Sequence, residues 1–190
     1  MSTTAQIRIF SVDDHPLLHE GLATVIRHQS DMMMVAEANN GQEAIQRFQE
    51  HVPDVTLMDL RLPDMSGIDA MIAIRSRFPD ARVIILTTFA NTVEIQRAFE
   101  AGARAYLLKS MPPRELVEVI RHVHAGKKKI PSEIADRFPD GNDEGSTSAV
   151  ETKAMPANEP TTMSGGVVSQ PSRKTRRPQW LSHLFKRRGE

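Results

Sequence analysis

Residues 7–14 read Ile7-Arg8-Ile9-Phe10-Ser11-Val12-Asp13-Asp14, a strand-sized apolar run that ends on two carboxylates. Three later apolar runs have the same form and end on Asp59, Thr87 and Lys109. Helix-like stretches separate the runs, which favours a parallel sheet covered on both faces. The polar residues would then meet at the carboxyl ends of the strands, where open sheets of this kind bind ligands.

The remaining segments complete five βα units up to about residue 126. They predict an α/β fold with a doubly wound, five-stranded parallel sheet and right-handed crossovers. Predicted strands cover residues 7–12, 32–36, 55–58, 82–86 and 105–108. The second helix is predicted over 41–48. The buried face of the first helix is predicted to consist of Leu18, Leu22, Val25 and Ile26.

Composition bounds the protein class. Hydrophobic residues make up 39% of the 190-residue chain, which is low for a globular protein and predicts an unstructured part. The chain has no cysteine, which excludes disulfides and thiolate metal sites. No apolar run approaches membrane-spanning length, and residues 1–6 lack the apolar core of a signal peptide. We therefore expect a cytoplasmic protein without a membrane span.

The chain divides into three predicted parts. Residues 6–126 carry the βα rhythm, and residues 127–138 are expected to form a short linker helix. Residues 139–190 are rich in Pro, Gly, Ser, Thr and Asn, a composition that predicts disorder. The last 18 residues contain seven Lys or Arg and one Glu, so the predicted tail ends in a basic segment.

The polar residues at the strand ends suit Mg²⁺-assisted phosphoryl transfer. Close carboxylates repel one another by roughly 4 kcal/mol per pair at an effective dielectric constant of 20, and a divalent cation removes that cost. We expect Asp59 to be the nucleophile and Asp14 to coordinate the metal, with Asp13 acting directly or through water. The main-chain carbonyl of Arg61 could complete the metal shell. Lys109 and the Thr87 hydroxyl would contact the phosphoryl oxygens.

Four stretches together resemble the receiver domain of two-component response regulators, in particular the NarL/FixJ (LuxR-type) subfamily. They are VDDHP at 12–16, LMDLRLP at 57–63, ILTTF at 85–89 and AGARAYLLK at 101–109. The resemblance covers residues 6–126. It implies the flavodoxin-like receiver fold with strand order 2-1-3-4-5.

The resemblance also implies a function. A sensor histidine kinase would phosphorylate Asp59, using Mg²⁺ held by Asp13, Asp14 and Asp59. Thr87 would turn inward onto the phosphoryl group, and Tyr106 would follow as the second switch residue. Such a protein is a phospho-acceptor rather than an enzyme, with at most Mg²⁺-dependent self-phosphorylation and self-dephosphorylation. A phosphorylation-dependent homodimer is a further implication.

The chain departs from this subfamily after residue 138, because no helix-turn-helix DNA-binding domain can be recognised there. A remnant, a frameshifted copy and a separate origin all fit such a tail. We expect output through protein–protein contacts, with DNA binding absent or non-specific through the basic tail. The alternative is a DNA-binding transcriptional regulator of the NarL/FixJ type with a degenerate C-terminal domain.

Structural roles compete with these functional ones. Asp13 and Asp14 could serve only as N-caps of the first helix, Thr87 could be an ordinary strand-end hydroxyl, and Lys109 could be a solvated charge. Tyr106 could be a half-buried strand aromatic without a switching role. The histidines near the first helix are interpreted as solvated or packed rather than metal-binding; they are His15, His19 and His28.

Overall fold

The structure is a computed structural model that describes residues 5–88 and 91–137. Strands and helices alternate along it, which confirms the α/β prediction. The strands are β1 (Ile7–Val12), β2 (Met32–Ala38), β3 (Val55–Asp59), β4 (Val83–Thr87) and β5 (Ala105–Leu108). The helices are α1 (Pro16–Arg27), α2 (Gly41–His51), α3 (Gly67–Arg77), α4 (Thr92–Glu100) and α5 (Pro113–His124).

The strands form one parallel sheet in the order β2-β1-β3-β4-β5. This order confirms the predicted doubly wound sheet. One apolar cluster lies under α1 and α5 and includes Leu22, Ile26, Leu116, Ile120 and Val123. The other lies under α2, α3 and α4 and includes Phe48, Ile68, Met71, Ile74 and Ile95. Because helices cover both faces of the sheet, a site open to solvent is expected at the carboxyl ends of the strands.

Several element boundaries differ from the predicted ones. β2 extends to Ala38 rather than to residue 36, and α2 extends to His51 rather than to residue 48. Asp59 and Thr87 are the last residues of their strands rather than the first residues beyond them. Asp59 pairs with Leu86 on β4, and Thr87 pairs with Leu108 on β5. An apolar run cannot reveal such pairing, because the ladder bonds belong to the main chain.

The buried face of α1 also differs from the prediction. Leu22 and Ile26 are buried, but Leu18 and Val25 are only partly buried. His19 takes a buried position instead, with 6% of its surface exposed. The helix can bury this polar ring because both ring nitrogens find hydrogen-bond partners at the end of β1.

The segment after α5 returns to the edge of the sheet. Gly126 adopts a positive φ of 88°, and the N–H of Lys129 then donates to the carbonyl of Arg104. Lys129 also forms a parallel bridge with Ala105 of β5. A 3₁₀ helix, Ser132–Arg137, follows where the sequence predicted a linker helix over 127–138. The pairing with β5 keeps residues 127–129 out of helical geometry, and Pro131 lacks the N–H that a continuing helix needs.

The predicted disordered tail, residues 139–190, lies outside the described residues. Among the helices that the structure does describe, none is long and apolar enough to cross a lipid bilayer.

Thr56 on β3 carries a buried hydroxyl that has no hydrogen-bond partner. We expect Thr56→Val to raise the free energy of unfolding by about 1 kcal/mol, because the desolvation penalty of the hydroxyl disappears while the shape is kept. Urea denaturation of both proteins would measure the change. Thr24→Val is the matched control. The Thr24 hydroxyl lies on the exposed face of α1 and donates to the Glu20 carbonyl. A loss of stability in Thr56→Val would contradict the prediction.

Candidate functional site

The carboxyl edge of the sheet brings the predicted residues to neighbouring strand ends. Asp13 and Asp14 follow β1, Asp59 ends β3, Thr87 ends β4, and Lys109 follows β5. Since β1, β3, β4 and β5 are consecutive in the sheet, these residues lie along one rim. Asp13, Asp59 and Thr87 are buried, while Asp14 keeps 39% of its side chain exposed.

Lys109 connects the outer strand to the two buried carboxylates. Its Nζ lies 2.5 Å from Asp13 Oδ2 and 3.0 Å from Asp59 Oδ2. Its main-chain N–H donates to the carbonyl of Thr87 at 2.7 Å, which fixes where the side chain begins. Only 11% of the side chain is exposed. Lys109 is therefore an internal counter-ion of the site and not a solvated charge.

Burial and neighbouring charges have opposing effects on the pKa values of Asp59 and Lys109. Burial raises the pKa of the Asp59 carboxyl above its ordinary value, and the nearby charge of Asp13 adds to that rise, while Lys109 opposes it. Burial by itself would lower the pKa of Lys109, but its hydrogen bonds with Asp13 and Asp59 outweigh burial and raise it. The ammonium is thus held in its charged form beside the two carboxylates.

Potential ligand atoms for a cation converge beside Lys109 and the buried carboxylates. Asp13, Asp14, His15 and Asp59 can each offer one ligand atom, and those atoms all lie within 4.8 Å of one another. Three carboxylates against one ammonium leave surplus negative charge, and carboxylate oxygens are the donors that Mg²⁺ prefers. The donor set therefore fits the predicted cation. The main chain of Arg61 donates a hydrogen bond to Asp59, which places the start of this loop at the site.

His15 belongs to this cluster, although the sequence interpretation had set it apart. Its Nδ1 lies 2.7 Å from Asp14 Oδ1 and 3.0 Å from Asp13 Oδ1. It is also the N-cap residue of α1, and its side chain makes no capping hydrogen bond. Asp13 and Asp14 are therefore not the N-caps of α1, although the His15 main-chain N–H donates to Asp13 Oδ1. The position of His15 directly after Asp13 and Asp14 is the sequence signal that could have placed it in the cluster.

The two proposed switch residues are both buried. Thr87 is 1% exposed and Tyr106 is 4% exposed. Tyr106 belongs to the apolar cluster that also contains Ile95 and Phe99 of α4. Burial, the main cause, raises the pKa of the Tyr106 phenol, as does the charge of Glu94. Tyr106 is thus more deeply buried than the half-buried strand aromatic of the competing interpretation.

Gly67 supports the main chain of Asp59 in a way that the sequence did not reveal. A Cβ at this position would overlap the main-chain oxygen of Asp59, and no flexible side chain could yield in its place. The N–H of Gly67 donates to the carbonyl of Leu60 at 2.9 Å. No local pattern indicates this role, because the return of the loop to β3 is a tertiary contact.

The parallel sheet, the acidic rim and the internal lysine define an α/β domain with a candidate cation site at the carboxyl ends of its strands. The sequence pattern of the response regulator receiver domain matches residues 9–121, so the chain belongs to that family. The chain is 38% identical over 128 residues to the transcriptional regulatory protein LnrK of Bacillus subtilis, which covers 67% of this chain and 58% of LnrK. It is 34% identical over 128 residues to the response regulator protein VraR of Staphylococcus aureus, covering 67% of this chain and 61% of VraR.

A solved structure shares the same fold. It is a two-component response regulator of the LuxR family from Aurantimonas sp. SI85-9A1, with a TM-score of 0.65 and 38% identity over 72% of this chain and 97% of that one. These relatives confirm the resemblance to NarL/FixJ (LuxR-type) response regulators. The chain spans less than two thirds of the length of LnrK and of VraR.

We expect Gly67→Ala to lower the free energy of unfolding by about 2–3 kcal/mol, because the new methyl group displaces the main chain of Asp59. Gly21→Ala is the matched control. Gly21 lies on the exposed surface of α1, and a Cβ there meets nothing within 4 Å. The free energy of unfolding of Gly21→Ala should rise by up to about 1 kcal/mol, since alanine is a better helix former than glycine. Urea denaturation measures both changes, and an unchanged Gly67→Ala protein would contradict the steric argument.

Proposed function

We propose that this chain accepts a phosphoryl group on Asp59 from a sensor histidine kinase and so acts in phosphorelay signal transduction. One observation carries the proposal: Lys109 Nζ contacts both Asp13 and Asp59 at the buried rim, while Asp14 remains partly exposed beside them. This arrangement offers a nucleophile, a fixed positive charge and a cation site at one place.

The reaction we propose is an in-line displacement at phosphorus. A carboxylate oxygen of Asp59 forms a bond to the phosphorus of the kinase's phosphohistidine. The phosphorus–nitrogen bond breaks, and its electron pair stays on the imidazole nitrogen of the donor. The product is an acyl phosphate on Asp59. Lys109, already within 3.0 Å of Asp59, would then contact a phosphoryl oxygen, and Thr87 would supply a hydroxyl to another.

We assign the cation site to Asp13, Asp14 and Asp59, with the main-chain carbonyl of Arg61 as a further ligand. Mg²⁺ bound there would neutralise the carboxylates and the charge of the phosphoryl oxygens. The chain's own contribution is to hold the carboxylates close together before a cation arrives. The buried ammonium of Lys109 reduces the repulsion between these carboxylates, because it contacts the two most buried ones, Asp13 and Asp59.

Thr87 and Tyr106 are our candidates for the conformational switch. Thr87 ends β4, and the chain reaches α4 a few residues later. Tyr106 packs in the cluster that contains residues of α4. A Thr87 hydroxyl drawn onto the phosphoryl group would therefore change packing at β4, α4 and β5, which is the face we propose for signal output.

We propose that the chain is a stoichiometric phospho-acceptor in the cytoplasm. Any catalysis would be confined to its own Mg²⁺-dependent phosphorylation and dephosphorylation. In this proposal residues 6–126 form the receiver domain, residues 127–138 form a linker, and residues 139–190 form a basic tail. Output would proceed through protein–protein contacts, including a homodimer that forms on phosphorylation.

A second function is direct transcriptional control through DNA. Two observations favour it: LnrK is named a transcriptional regulatory protein, and the tail carries a basic segment. A basic segment alone attracts nucleic acid without reading its sequence, and the attraction weakens as salt rises. We prefer protein contacts because no helix-turn-helix pattern is recognisable in the tail sequence.

Acetyl phosphate with Mg²⁺ should add one phosphoryl group to the wild-type chain, seen as a single mass increase that is stable in acid and lost in base. Asp59→Asn should abolish the adduct because the nucleophilic carboxylate is gone. Lys109→Met should slow its formation on the order of 10²-fold, since a preorganised positive charge is lost. Intact-protein mass spectrometry follows all three reactions.

Asp69→Asn is the matched control for this experiment. Asp69 is an exposed carboxylate in the first turn of α3, so this variant should be labelled as fast as the wild type. If Asp59→Asn is labelled as readily as Asp69→Asn, the assignment of the acceptor is wrong. If only Asp59→Asn loses the label, a phosphotransfer screen with phosphorylated sensor kinases would identify the physiological donor.

Random duplex DNA should bind the full chain weakly, and this binding should disappear as salt rises because only phosphate contacts are made. Deleting residues 139–190 should remove it altogether. Fluorescence anisotropy at several salt concentrations measures both proteins. A sequence-selective complex that survives high salt would instead support the DNA-binding alternative.

A further inference from the structure

Ser11, Asp13 and His19 form a buried hydrogen-bonded chain beneath the site. His19 Nε2 lies 2.8 Å from the main-chain carbonyl oxygen of Asp13, and His19 Nδ1 lies 3.1 Å from Ser11 Oγ. Ser11 is 1% exposed and His19 is 6% exposed. The contact of His19 with Asp13 uses the main chain of Asp13, whereas Lys109 and His15 contact its carboxylate.

The chemistry of the partners fixes the direction of each bond. A carbonyl oxygen can only accept, so His19 Nε2 carries a hydrogen and donates it to Asp13. In the neutral ring Nδ1 then has a free lone pair, and the hydroxyl of Ser11 donates to it. The neutral ring is therefore the Nε2–H tautomer, with both nitrogens satisfied.

We infer that His19 is a positioning residue for the cation site, acting through the main chain of Asp13. This inference rests on the proposed function, in which Asp13 is a cation ligand. The Asp13 N–H donates to the carbonyl of Ala38 on β2 at 3.0 Å, and the Asp13 carbonyl accepts from His19 on α1. Two elements on different sides of β1 thus hold Asp13 at the point where the chain leaves the sheet.

The position of the His19 ring explains why its hydrogen bond to the Asp13 carbonyl matters. Asp13 follows the last residue of β1, so its carbonyl has no place in the regular strand. Strand alternation puts Ser11 and Asp13 on the same side of β1, facing α1, and one imidazole ring spans them both. Without the ring the carbonyl would be buried with a vacant acceptor, and its peptide plane could rotate. That peptide plane joins Asp13 to Asp14, so its rotation would change how the two carboxylates are placed relative to each other.

Residues that orient metal ligands without touching the metal typically change its affinity by 10–100-fold when they are lost. We therefore expect His19→Leu to weaken cation binding by about tenfold. His19→Gln should restore most of the affinity, to within about threefold of wild type, because its amide N–H can still donate to the Asp13 carbonyl. Ser11→Ala should cost less than His19→Leu, because the bond to Asp13 stays in place.

The affinity can be measured without any phosphorylation, using Mn²⁺ as the probe. The electron paramagnetic resonance signal of free Mn²⁺ falls as the ion binds to the full chain, and added Mg²⁺ should displace it. Leu22→Ala is the matched control, since Leu22 is buried on the same helix but belongs to the apolar cluster. It should destabilise the fold and leave the Mn²⁺ affinity unchanged, which separates positioning from general loss of stability.

The outcomes distinguish this inference from the proposed function. If the wild-type chain does not bind Mn²⁺, or Mg²⁺ does not displace it, the cation site itself is wrong. The positioning role of His19 is wrong if the wild type binds Mn²⁺ and the Mn²⁺ affinity of His19→Leu is within twofold of it. The role is also wrong if the affinity of His19→Leu falls no further than that of Leu22→Ala. An affinity for His19→Gln as low as that of His19→Leu would also overturn it.

A nuclear magnetic resonance measurement tests the same inference without a variant. Long-range ¹H–¹⁵N correlation spectra of the wild-type chain should show the ring of His19 as the Nε2–H tautomer. Addition of Mg²⁺ should shift the carbonyl ¹³C resonance of Asp13. A neutral Nδ1–H tautomer would contradict the hydrogen bond to the carbonyl and with it the proposed anchor.

Discussion

The ammonium of Lys109 between Asp13 and Asp59 is the interaction on which the rest of the site depends. Two buried carboxylates with no counter-charge would repel each other and would resist removal from water. Lys109 offsets both costs because its Nζ reaches one oxygen of each, at 2.5 and 3.0 Å. The strands that carry these residues are therefore joined at their ends by charge as well as by the sheet. Truncating a buried partner of this kind leaves an uncompensated charge, which is usually strongly destabilising.

The site is held mainly by main-chain contacts from several elements. The carbonyl of Thr87 fixes the start of Lys109, the carbonyl of Ala38 fixes Asp13, and Gly67 lies against the main chain of Asp59. Each contact comes from a different part of the chain. These contacts hold the carboxylates close together, and their surplus negative charge can attract a cation. These contacts hold the charged groups of the receiver domain in one arrangement.

The fold was largely predictable because it rests on local patterns. Apolar runs mark the strands in sequence, and the βα rhythm restricts the topology through right-handed crossovers. Boundaries were less predictable, since the ends of β3 and β4 depend on ladder partners in other strands. The face of α1 was predicted partly wrongly, because His19 is polar by type and is buried only where Ser11 and Asp13 satisfy it.

The sequence by itself determined which chemical groups stand at the rim: three carboxylates, a hydroxyl and an ammonium, each at the end of an apolar run. It could do so because strand ends are local and a parallel sheet collects them on one edge. Only the tertiary structure decided which groups touch. Lys109 reaches Asp13 rather than Asp14, His15 joins the acidic cluster, and the ring of His19 supports the Asp13 carbonyl. Such choices depend on distances of a few ångströms set by packing, and no residue pattern along one chain encodes them directly.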